Sequence, residues 1–305
     1  MTKLRGTTGL YDAAQSVTLP AMAILGAHMS ISGGYYRSVE IASEMGCDAV
    51  QLFTKNNNQW RAKELTDEDV AKFQNALKEL KIGWPIAHNS YLINLAAPDE
   101  ELWRKSIDAH RIELERAERL GIPFVVAHPG AFTTSSEEVG LKRIIKGLDE
   151  VHAAAPKLKV KTLLEATAGQ GSCLGCKFEH LAEIIAGVKH PERLGVCIDT
   201  CHVFAAGYPL GTPKEYKETM KALDATVGVT QVQAFHLNDS AKPFGSRVDR
   251  HAHIGQGHLG LEPFRQLLND SRFSKTPMYL ETPKEEVDGE HMDKVNLRTL
   301  RSLIK

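Results

Sequence analysis

Several features that assign chains to special classes are missing from this sequence. No apolar run approaches the roughly 20 residues that cross a bilayer, so we expect no membrane partner. The run from Leu19 to Met29 is short and has no basic flank or cleavage pattern, which predicts no export signal and a cytoplasmic location. The 37 Lys and Arg nearly balance the 38 Asp and Glu. That balance excludes a polybasic wrapper of nucleic acid but allows a local basic patch that contacts phosphates.

Cysteine is scarce as well. The five cysteines among 305 residues are an odd number and indicate reduced thiols rather than a disulfide framework. The motif Cys173-x-x-Cys176 has no companion pair, so we do not expect a zinc or redox site there. Cys197 and Cys201 lie beside the candidate ligands described below and are expected to pack.

The sequence also has no linker that would divide the chain into domains, no low-complexity tract and no internal repeat beyond the alternation described below. Residues 1–21 carry Gly, Thr, Ser, Gln and scattered charge without periodicity, which predicts a loose N-terminal arm. Residues 22–305 are then one domain. Nothing in the sequence indicates oligomerisation, and we expect a monomer.

What the sequence does contain is a regular alternation of short apolar runs with helical patterns. Eight strands and helices over about 280 residues predict a single α/β domain, a (β/α)₈ TIM barrel. An open doubly wound sheet is the alternative, but it usually carries G-x-G-x-x-G after the first strand, where this chain reads GAHMSISGG. Two of the helical patterns, 66–80 and 212–228, open with a Thr cap and early acids. The predicted strands are AILGAHM (23–29), AVQLFT (49–54), PIAHNS (85–90), FVVAHPG (124–130), TLLEAT (162–167), GVCIDT (195–200), QVQAFHLND (231–239) and PMYLET (277–282).

Imidazoles and carboxylates recur at the carboxyl ends of these runs, which is the face where barrel enzymes place their active sites. Any one of them alone has an ordinary explanation as a hydrogen-bonded structural residue or a helix cap. Together, five imidazoles and four carboxylates in one apolar mouth would be very costly without cations. The set is His88, His128, Glu165, Asp199, His202, His236 and Glu281, with Asp249 and His251 in the loop after the seventh strand.

These nine residues predict a metal cluster. Imidazole with carboxylate suits Zn, Mn or Fe better than Mg or Ca. Nine ligands with one bridging carboxylate are enough for two or three ions with open positions, the apparatus of phosphoester hydrolysis. The other histidines divide into two sets. We expect solvent exposure for His110, His152, His180, His190 and His291, whereas His28, His253 and His258 lie on the active face with a supporting or substrate-binding role left open.

Long motifs then follow one another in a familiar order: GAHMSISGG, FTKNNNQWR, AHNSYLINLA, AHPGA, LEATAGQGS, GVCIDTCHVFAAGY, FHLNDS, FGSRVDRHAHIGQGHLG and LETP. Together they resemble the endonuclease IV family of apurinic/apyrimidinic endonucleases, from about Met22 to the C-terminal helix. The resemblance implies a (β/α)₈ barrel with three zinc ions that cuts duplex DNA on the 5′ side of an abasic site and leaves a 3′-hydroxyl.

The resemblance also implies a role for each ligand. His88, His128 and Glu165 would hold one zinc. Glu165 would bridge to a second zinc, completed by Asp199, His236 and Glu281, and the third would lie on His202, Asp249 and His251. The implied catalysis is attack on phosphorus by a hydroxide bridging the first two ions, which makes Glu165, Asp199 and Glu281 the catalytic carboxylates.

DNA contacts follow from the same resemblance. Tyr91 matches an inserting tyrosine, and the loop after strand two would enter the minor groove with Gln59 and Trp60 as its wedge, although Trp60 could instead pack the loop. Lys55 or Arg61 would lie near phosphates, and both belong with Asn58 and Arg250 to the expected DNA-binding set.

Three positions depart from the family pattern without touching a ligand. Asn58 replaces an arginine that enters the groove in some members, Ala166 replaces a common asparagine, and Phe132 replaces a usual second histidine. Two other functions remain as alternatives. One is a xylose isomerase-like sugar isomerase or epimerase, in which Asp249, His251 and the NNNQW loop would have no use. The other is a non-catalytic binder of damaged DNA that keeps the zinc ions for structure.

Overall fold

The computed structural model describes residues 23–305, so the arm predicted for residues 1–21 lies outside the described residues. Within that range the chain forms nine α-helices and fourteen strands. The strands are β1 Leu25–His28, β2 Ala49–Phe53, β3 Gly83–His88, β4 Phe124–Ala127, β5 Gly130–Ala131, β6 Lys161–Ala166, β7 Cys173–Leu174, β8 Leu194–Asp199, β9 Val232–His236, β10 Asp239–Ser240, β11 His251–Ala252, β12 Met278–Leu280, β13 Glu286–Val287 and β14 Glu290–His291. The helices are α1 Tyr35–Met45, α2 Asp67–Glu79, α3 Glu100–Leu120, α4 Glu137–Ala154, α5 Phe178–Gly187, α6 Thr200–Ala206, α7 Pro213–Thr226, α8 Glu262–Leu268 and α9 Met292–Ser302.

Eight of the strands close a barrel in the order β1-β12-β9-β8-β6-β4-β3-β2. All neighbouring pairs are parallel, and β1 bonds to β2 on one side and to β12 on the other. The (β/α)₈ prediction is therefore confirmed, and each of the eight predicted apolar runs overlaps one barrel strand, although β3, β6 and β8 begin one or two residues earlier than predicted. The open doubly wound alternative is wrong, because the pairing of Leu25 with Met278 joins the first strand to the last.

The two helices whose starts were predicted begin as expected. Thr66 and Thr212 each accept the backbone N–H three residues on and complete a capping box with Asp69 and Glu215. Helix α7 ends at Thr226, earlier than the predicted Gly228. Gly228 follows the helix with φ 87° and donates its N–H to the Leu223 carbonyl at 3.2 Å, an ending that glycine accommodates best.

The interior of the barrel is arranged in layers because side chains of a strand alternate between its two faces. One set of apolar residues points outward and packs under the helices. A separate set fills the barrel interior. Its members are Ala49, Ile86, Val126, Leu163, Cys197, Ala234 and Tyr279, one from each strand of the barrel except β1.

Short two-stranded ribbons form the loops that follow the barrel strands. Ribbon β10–β11 pairs Ser240 with His251 and so ties a candidate ligand to the end of β9. The buried carboxylate of Asp239 accepts four backbone N–H groups at 2.7–3.0 Å, from Ser240, Gly255, Gly257 and Leu259. This carboxylate holds the loop that carries His251. None of the helices within residues 23–305 is long and apolar enough to cross a bilayer.

Candidate metal centre

The candidate ligands form the next interior layer of the barrel. Each of the seven apolar interior residues is followed two positions later by a polar one, which alternation places on the same inner face. Six of these polar residues are predicted ligands, and the seventh is Gln51. On β1 the corresponding position is His28. The ligands in this layer are His88, His128, Glu165, Asp199, His236 and Glu281.

The first group consists of His88, His128 and Glu165, whose ligand atoms lie within 4.8 Å of one another. The Nε2 atoms of His88 and His128 are 3.1 Å and 3.2 Å from the same carboxylate oxygen, Oε2 of Glu165. Glu165 is completely buried, whereas His128 is partly open at the mouth.

The second group contains Glu165, Asp199, His236 and Glu281, again within 4.8 Å. Nδ1 of His236 lies 2.9 Å from Oε1 of Glu165 and 3.2 Å from Oε2 of Glu281. Glu165 therefore presents one oxygen to each of two groups, which is the geometry of a bridging carboxylate.

The third group lies at the rim and contains His202, Asp249 and His251. Nε2 of His202 is 3.1 Å from Oδ2 of Asp249, and Nε2 of His251 is 3.3 Å from Oδ1 of the same carboxylate. Oδ2 of Asp199 is 3.5 Å from Nε2 of His251 and thus lies between the second and third groups.

Cys201 is also within 4.8 Å of Asp199 and His251. Burial, assisted by the negative charge of Asp199, raises the pKa of its thiol to about 12, so it stays protonated and packs as expected. Cys173 and Cys176 are free thiols and belong to none of the candidate metal groups in residues 23–305.

Hydrogen bonds on the outer ring nitrogens fix which nitrogen of each histidine faces the groups. Nδ1 of His88 donates to the Asn89 carbonyl at 2.8 Å, and Nδ1 of His202 donates to the Ala166 carbonyl at 3.0 Å. His251 donates from Nδ1 to the Glu281 carbonyl at 3.1 Å. In each ring Nε2 is therefore the nitrogen that points into a group, where it would offer its lone pair to a bound metal.

The electrostatics of the layer favour charged carboxylates. Burial alone would raise the pKa of Glu165, but the imidazoles of His236 and His128 outweigh it and hold that pKa well below its usual range. Burial likewise opposes ionisation of Glu281, and His236 with His28 keeps its pKa well below the ordinary value. The layer thus combines buried, ionised carboxylates with imidazole nitrogens, a donor set that fits divalent cations of the zinc type.

Two polar side chains that sequence reasoning did not assign complete the surroundings of the layer. Asn238 is fully buried, donates to Oδ2 of Asp199 at 2.8 Å and accepts the Glu281 backbone N–H at 2.8 Å. Gln51 contacts His236, Glu281 and His28. A polar residue inside an otherwise apolar strand, as in AVQLFT, is the signal that could have identified Gln51.

The mouth beside these groups carries the predicted DNA-binding residues. Tyr91 is 63% exposed, and its ring lies 5.7 Å from the His88 ring in a cleft of about 250 Å³ that it lines with His128 and Asp249. In the loop after β2, Asn58, Gln59 and Arg61 are exposed, and Arg250 is exposed next to Asp249.

Lys55 is placed differently from the prediction. It is only 3% exposed, and its ammonium lies 3.4 Å from Oε1 of Glu113 and donates to the Gln59 carbonyl at 2.7 Å. Lys55 therefore stabilises the loop from inside the protein, and the prediction that it lies near a DNA phosphate is wrong. Trp60 is half-buried against the core with Lys105 over its ring at 4.6 Å, which favours the packing alternative over a wedge.

Exposure was predicted wrongly for three histidines. His110, His152 and His180 are buried because they face the barrel or the neighbouring helix, and His110 hydrogen-bonds Asn89 and Thr162 at 3.0 Å and 2.9 Å. His190 is exposed, and His291 caps α9.

Two of the positions that depart from the family pattern lie near or within the core. The Ala166 carbonyl accepts a hydrogen bond from His202, and Phe132 packs against the core and belongs to none of the three groups.

Comparison with known proteins identifies relatives of this chain. A family model of the xylose isomerase-like TIM barrel matches residues 39–303. A probable endonuclease 4 of Chloroflexus aurantiacus is 50% identical over 280 residues, which cover 92% of this chain and 98% of that protein. The chain belongs to the endonuclease IV family.

Further relatives agree with this membership. The endonuclease IV family also includes a probable endonuclease 4 of Citrifermentans bemidjiense, 46% identical over 93% of this chain and all of that protein. The crystal structure of endonuclease IV from Thermus thermophilus superimposes with a TM-score of 0.80 at 35% identity, covering 92% of this chain and 98% of that one. A D-tagatose 3-epimerase-like protein shares only the fold, at 18% identity and a TM-score of 0.69 over 91% of this chain and 96% of that one.

Proposed function

We propose that this chain is a DNA-repair endonuclease that hydrolyses the phosphodiester on the 5′ side of an abasic site in duplex DNA and leaves a 3′-hydroxyl. Its membership of the endonuclease IV family supports the reaction class. The observation that carries the proposal is the position of Glu165, whose two oxygens face two different groups of ligands. The third group lies at the rim of the same cleft.

We propose zinc as the cofactor, with Mn or Fe as substitutes, in three positions. The first would be held by His88, His128 and Glu165, and the third by His202, Asp249 and His251. The second would be held by Glu165, Asp199, His236 and Glu281. Divalent cations bound in this way supply an activated water and neutralise charge on the phosphate and the leaving oxygen.

The chain's own residues prepare the site for an anionic substrate. The carboxylates of Glu165 and Glu281, whose pKa values are held well below the ordinary range, lie together with Asp199, so a phosphodiester is repelled unless cations accompany it. The surrounding apolar layer and the fixed imidazoles keep these groups in one arrangement, and such preorganisation is where enzymes obtain much of their rate.

DNA recognition would use the rim of the cleft. Tyr91 is exposed beside the first group, where it would occupy the gap left by a displaced abasic nucleotide. Asn58, Gln59 and Arg61 extend from the loop after β2, where they can contact the minor groove and the phosphates. Arg250 is exposed between Asp249 and His251 of the third group.

The test is incubation of the purified chain with a duplex carrying one tetrahydrofuran abasic analogue, which cannot undergo β-elimination. We expect a nick on the 5′ side that is lost with a chelator and restored by Zn²⁺. Glu165→Gln should abolish it. The matched control is Glu118→Gln, whose carboxylate accepts the Lys159 and Val160 N–H groups at 3.0 Å near the start of β6, at the other end of the barrel.

The alternatives give different results in the same assay. A non-catalytic binder would shift the duplex in a gel without nicking it, and a chelator would unfold it. A sugar isomerase or epimerase would bind metal, leave the duplex intact and convert small sugars. Nicking by Glu165→Gln at the wild-type rate would reject the proposed centre.

A further inference from the structure

Two positions of the ligand layer are not filled by candidate ligands, and they are neighbours. The layer has one residue from each barrel strand, and only His28 on β1 and Gln51 on β2 lie outside the three groups. These two residues are paired in the sheet register. Gln51 is completely buried, so it cannot touch a substrate in the cleft.

The side-chain amide of Gln51 connects to both sides of the second group. Its oxygen lies 2.8 Å from Nε2 of His236. Its nitrogen donates to Oε1 of Glu281 and lies 2.9 Å from Nδ1 of His28. Every hydrogen-bonding atom of the Gln51 amide is thus used within this layer.

These contacts determine which atoms His236 and Glu281 offer to the group. An amide oxygen cannot donate, so Nε2 of His236 carries a hydrogen, and Nδ1 is the nitrogen that remains to bind a metal. Nδ1 is the atom that faces Glu165 and Glu281. On Glu281 the bond from Gln51 engages Oε1 and leaves Oε2 free toward His236.

His236 differs in this respect from the other fixed histidines. His88, His202 and His251 are held by backbone carbonyls and present Nε2, whereas His236 is held by a side chain and presents Nδ1. A backbone carbonyl is present whatever the side chain is, so His88, His202 and His251 keep their hydrogen-bond acceptors after a substitution. The hydrogen bond of His236, in contrast, depends on the side chain at position 51.

We propose that Gln51 is a positioning residue of the second metal group, which selects the Nδ1-presenting tautomer of His236 and the free oxygen of Glu281. This inference rests on the proposed metal centre. Outer partners of metal ligands typically change metal affinity by about 10- to 100-fold when they are lost. The same bonds stiffen the layer, so the experiment must separate positioning from simple stability.

The experiment compares the full-length wild type with Gln51→Met, which keeps an unbranched side chain of similar length but cannot accept from His236 or donate to Glu281. Chelator-treated protein is titrated with Zn²⁺ against a competing chromogenic chelator. We expect the Zn²⁺ affinity of one site to fall about 10- to 100-fold, with the other sites unchanged. The matched control is Thr162→Val, which removes another buried hydrogen bond, to His110, and should leave all Zn²⁺ affinities unchanged.

The tautomer itself gives a second readout. In long-range ¹H–¹⁵N NMR spectra of the chelator-treated protein, recorded at a pH high enough for the His236 ring to be neutral, the wild type should show His236 protonated on Nε2 only. Gln51→Met should lose this fixed tautomer. Gln51→Glu, which still offers an oxygen to Nε2, should keep it, and it also provides the test if Gln51→Met does not fold.

The outcomes separate this proposal from the function on which it rests. If the wild type binds no Zn²⁺, or if its nicking does not depend on metal, the proposed metal centre fails and Gln51 has nothing to position. If the wild type binds and nicks as expected while Gln51→Met binds Zn²⁺ as tightly as Thr162→Val, only the role of Gln51 is overturned. An unchanged His236 tautomer in Gln51→Met overturns it equally.

Discussion

The carboxylate of Asp199 accepts the backbone N–H of His202 at 3.0 Å, so one aspartate both ends strand β8 and caps helix α6. Oδ1 makes the cap, which leaves Oδ2 for the candidate metal groups. The cap also sets the direction in which His202 leaves the strand end. Asp199 and His202 therefore reach different groups although they are three residues apart.

Asp199→Asn separates these two functions. Asparagine caps helices as well as aspartate does, so the free energy of unfolding in chelator should change by no more than about 1 kcal/mol. Nicking of the tetrahydrofuran duplex should fall by at least about 100-fold, because a charged ligand is lost. Urea unfolding and the nicking assay measure the two effects. A loss of stability that matches the loss of activity would contradict this division.

Asp239→Asn should loosen the loop that carries His251. An amide presents an NH₂ group to two of the four N–H donors that the carboxylate now accepts, which leaves buried donors unpaired. We expect a cost of about 2–6 kcal/mol in unfolding free energy, from about 1–3 kcal/mol for each of the two unpaired donors. Hydrogen exchange should accelerate at Gly255, Gly257 and Leu259.

The control for this variant is Asp99→Asn, in a cap that accepts only the Leu102 N–H at 2.7 Å. There the change should be within about 0.5 kcal/mol, because asparagine is an equally good cap. Equal effects of the two substitutions would reject the assigned role of Asp239.

Tyr91→Ala should weaken cutting of the abasic duplex by about 10- to 100-fold in kcat/KM, since stacking of an aromatic ring against a base contributes about 1–3 kcal/mol. Tyr91→Phe should retain most of the activity. Trp84→Ala is the matched control, because Trp84 is 52% exposed near the start of β3, at the opposite end of the barrel. Similar losses in Tyr91→Ala and Trp84→Ala would show that Tyr91 has no specific part in DNA binding.

The buried histidine His110 should make the fold sensitive to acid. Burial lowers its pKa to about 3, whereas an unfolded histidine titrates near 6.5. The unfolded chain therefore binds an additional proton below pH 6.5, and stability is lost as the pH falls from 6.5 toward 3. At pH 5 the loss from this group is about 2 kcal/mol relative to pH 7.

Comparing wild type with His110→Gln isolates that effect. Both proteins are unfolded by urea in chelator at pH 7 and pH 5, so the candidate ligands contribute equally to each. The pH-dependent loss should be smaller in the variant by about 2 kcal/mol. Parallel pH dependence in the two proteins would mean that His110 does not stay neutral in the fold.

Much of this arrangement follows from local patterns. Capping residues such as Thr66 and Thr212 marked helix starts because the capping bond spans only three residues. Apolar runs marked the strands, and the recurrence of His and acids at their ends predicted a common site, since parallel strands of one barrel present their carboxyl ends on one face.

Other features depended on contacts that no local pattern encodes. Lys55 was expected at the surface, but Glu113, far along the chain, pairs with it in the interior. His110 lies in an amphipathic helix, where the sequence pattern did not reveal that its face meets Asn89 and the barrel. For Trp60 the sequence left packing and insertion into DNA as alternatives, and only its contact with the core favours packing.

The sequence by itself determined the (β/α)₈ barrel, the membership of the endonuclease IV family and the set of nine candidate ligands, because strand alternation and the motif order are properties of neighbouring residues. Only the tertiary structure decided which oxygen of Glu165 and which nitrogen of each histidine faces each group. It also decided the place of Gln51, whose partner Glu281 is 230 residues away and reaches it only because β12 closes the barrel against β1. Closure of the barrel brings together residues that are distant in the chain, so no single segment of the sequence predicts these contacts.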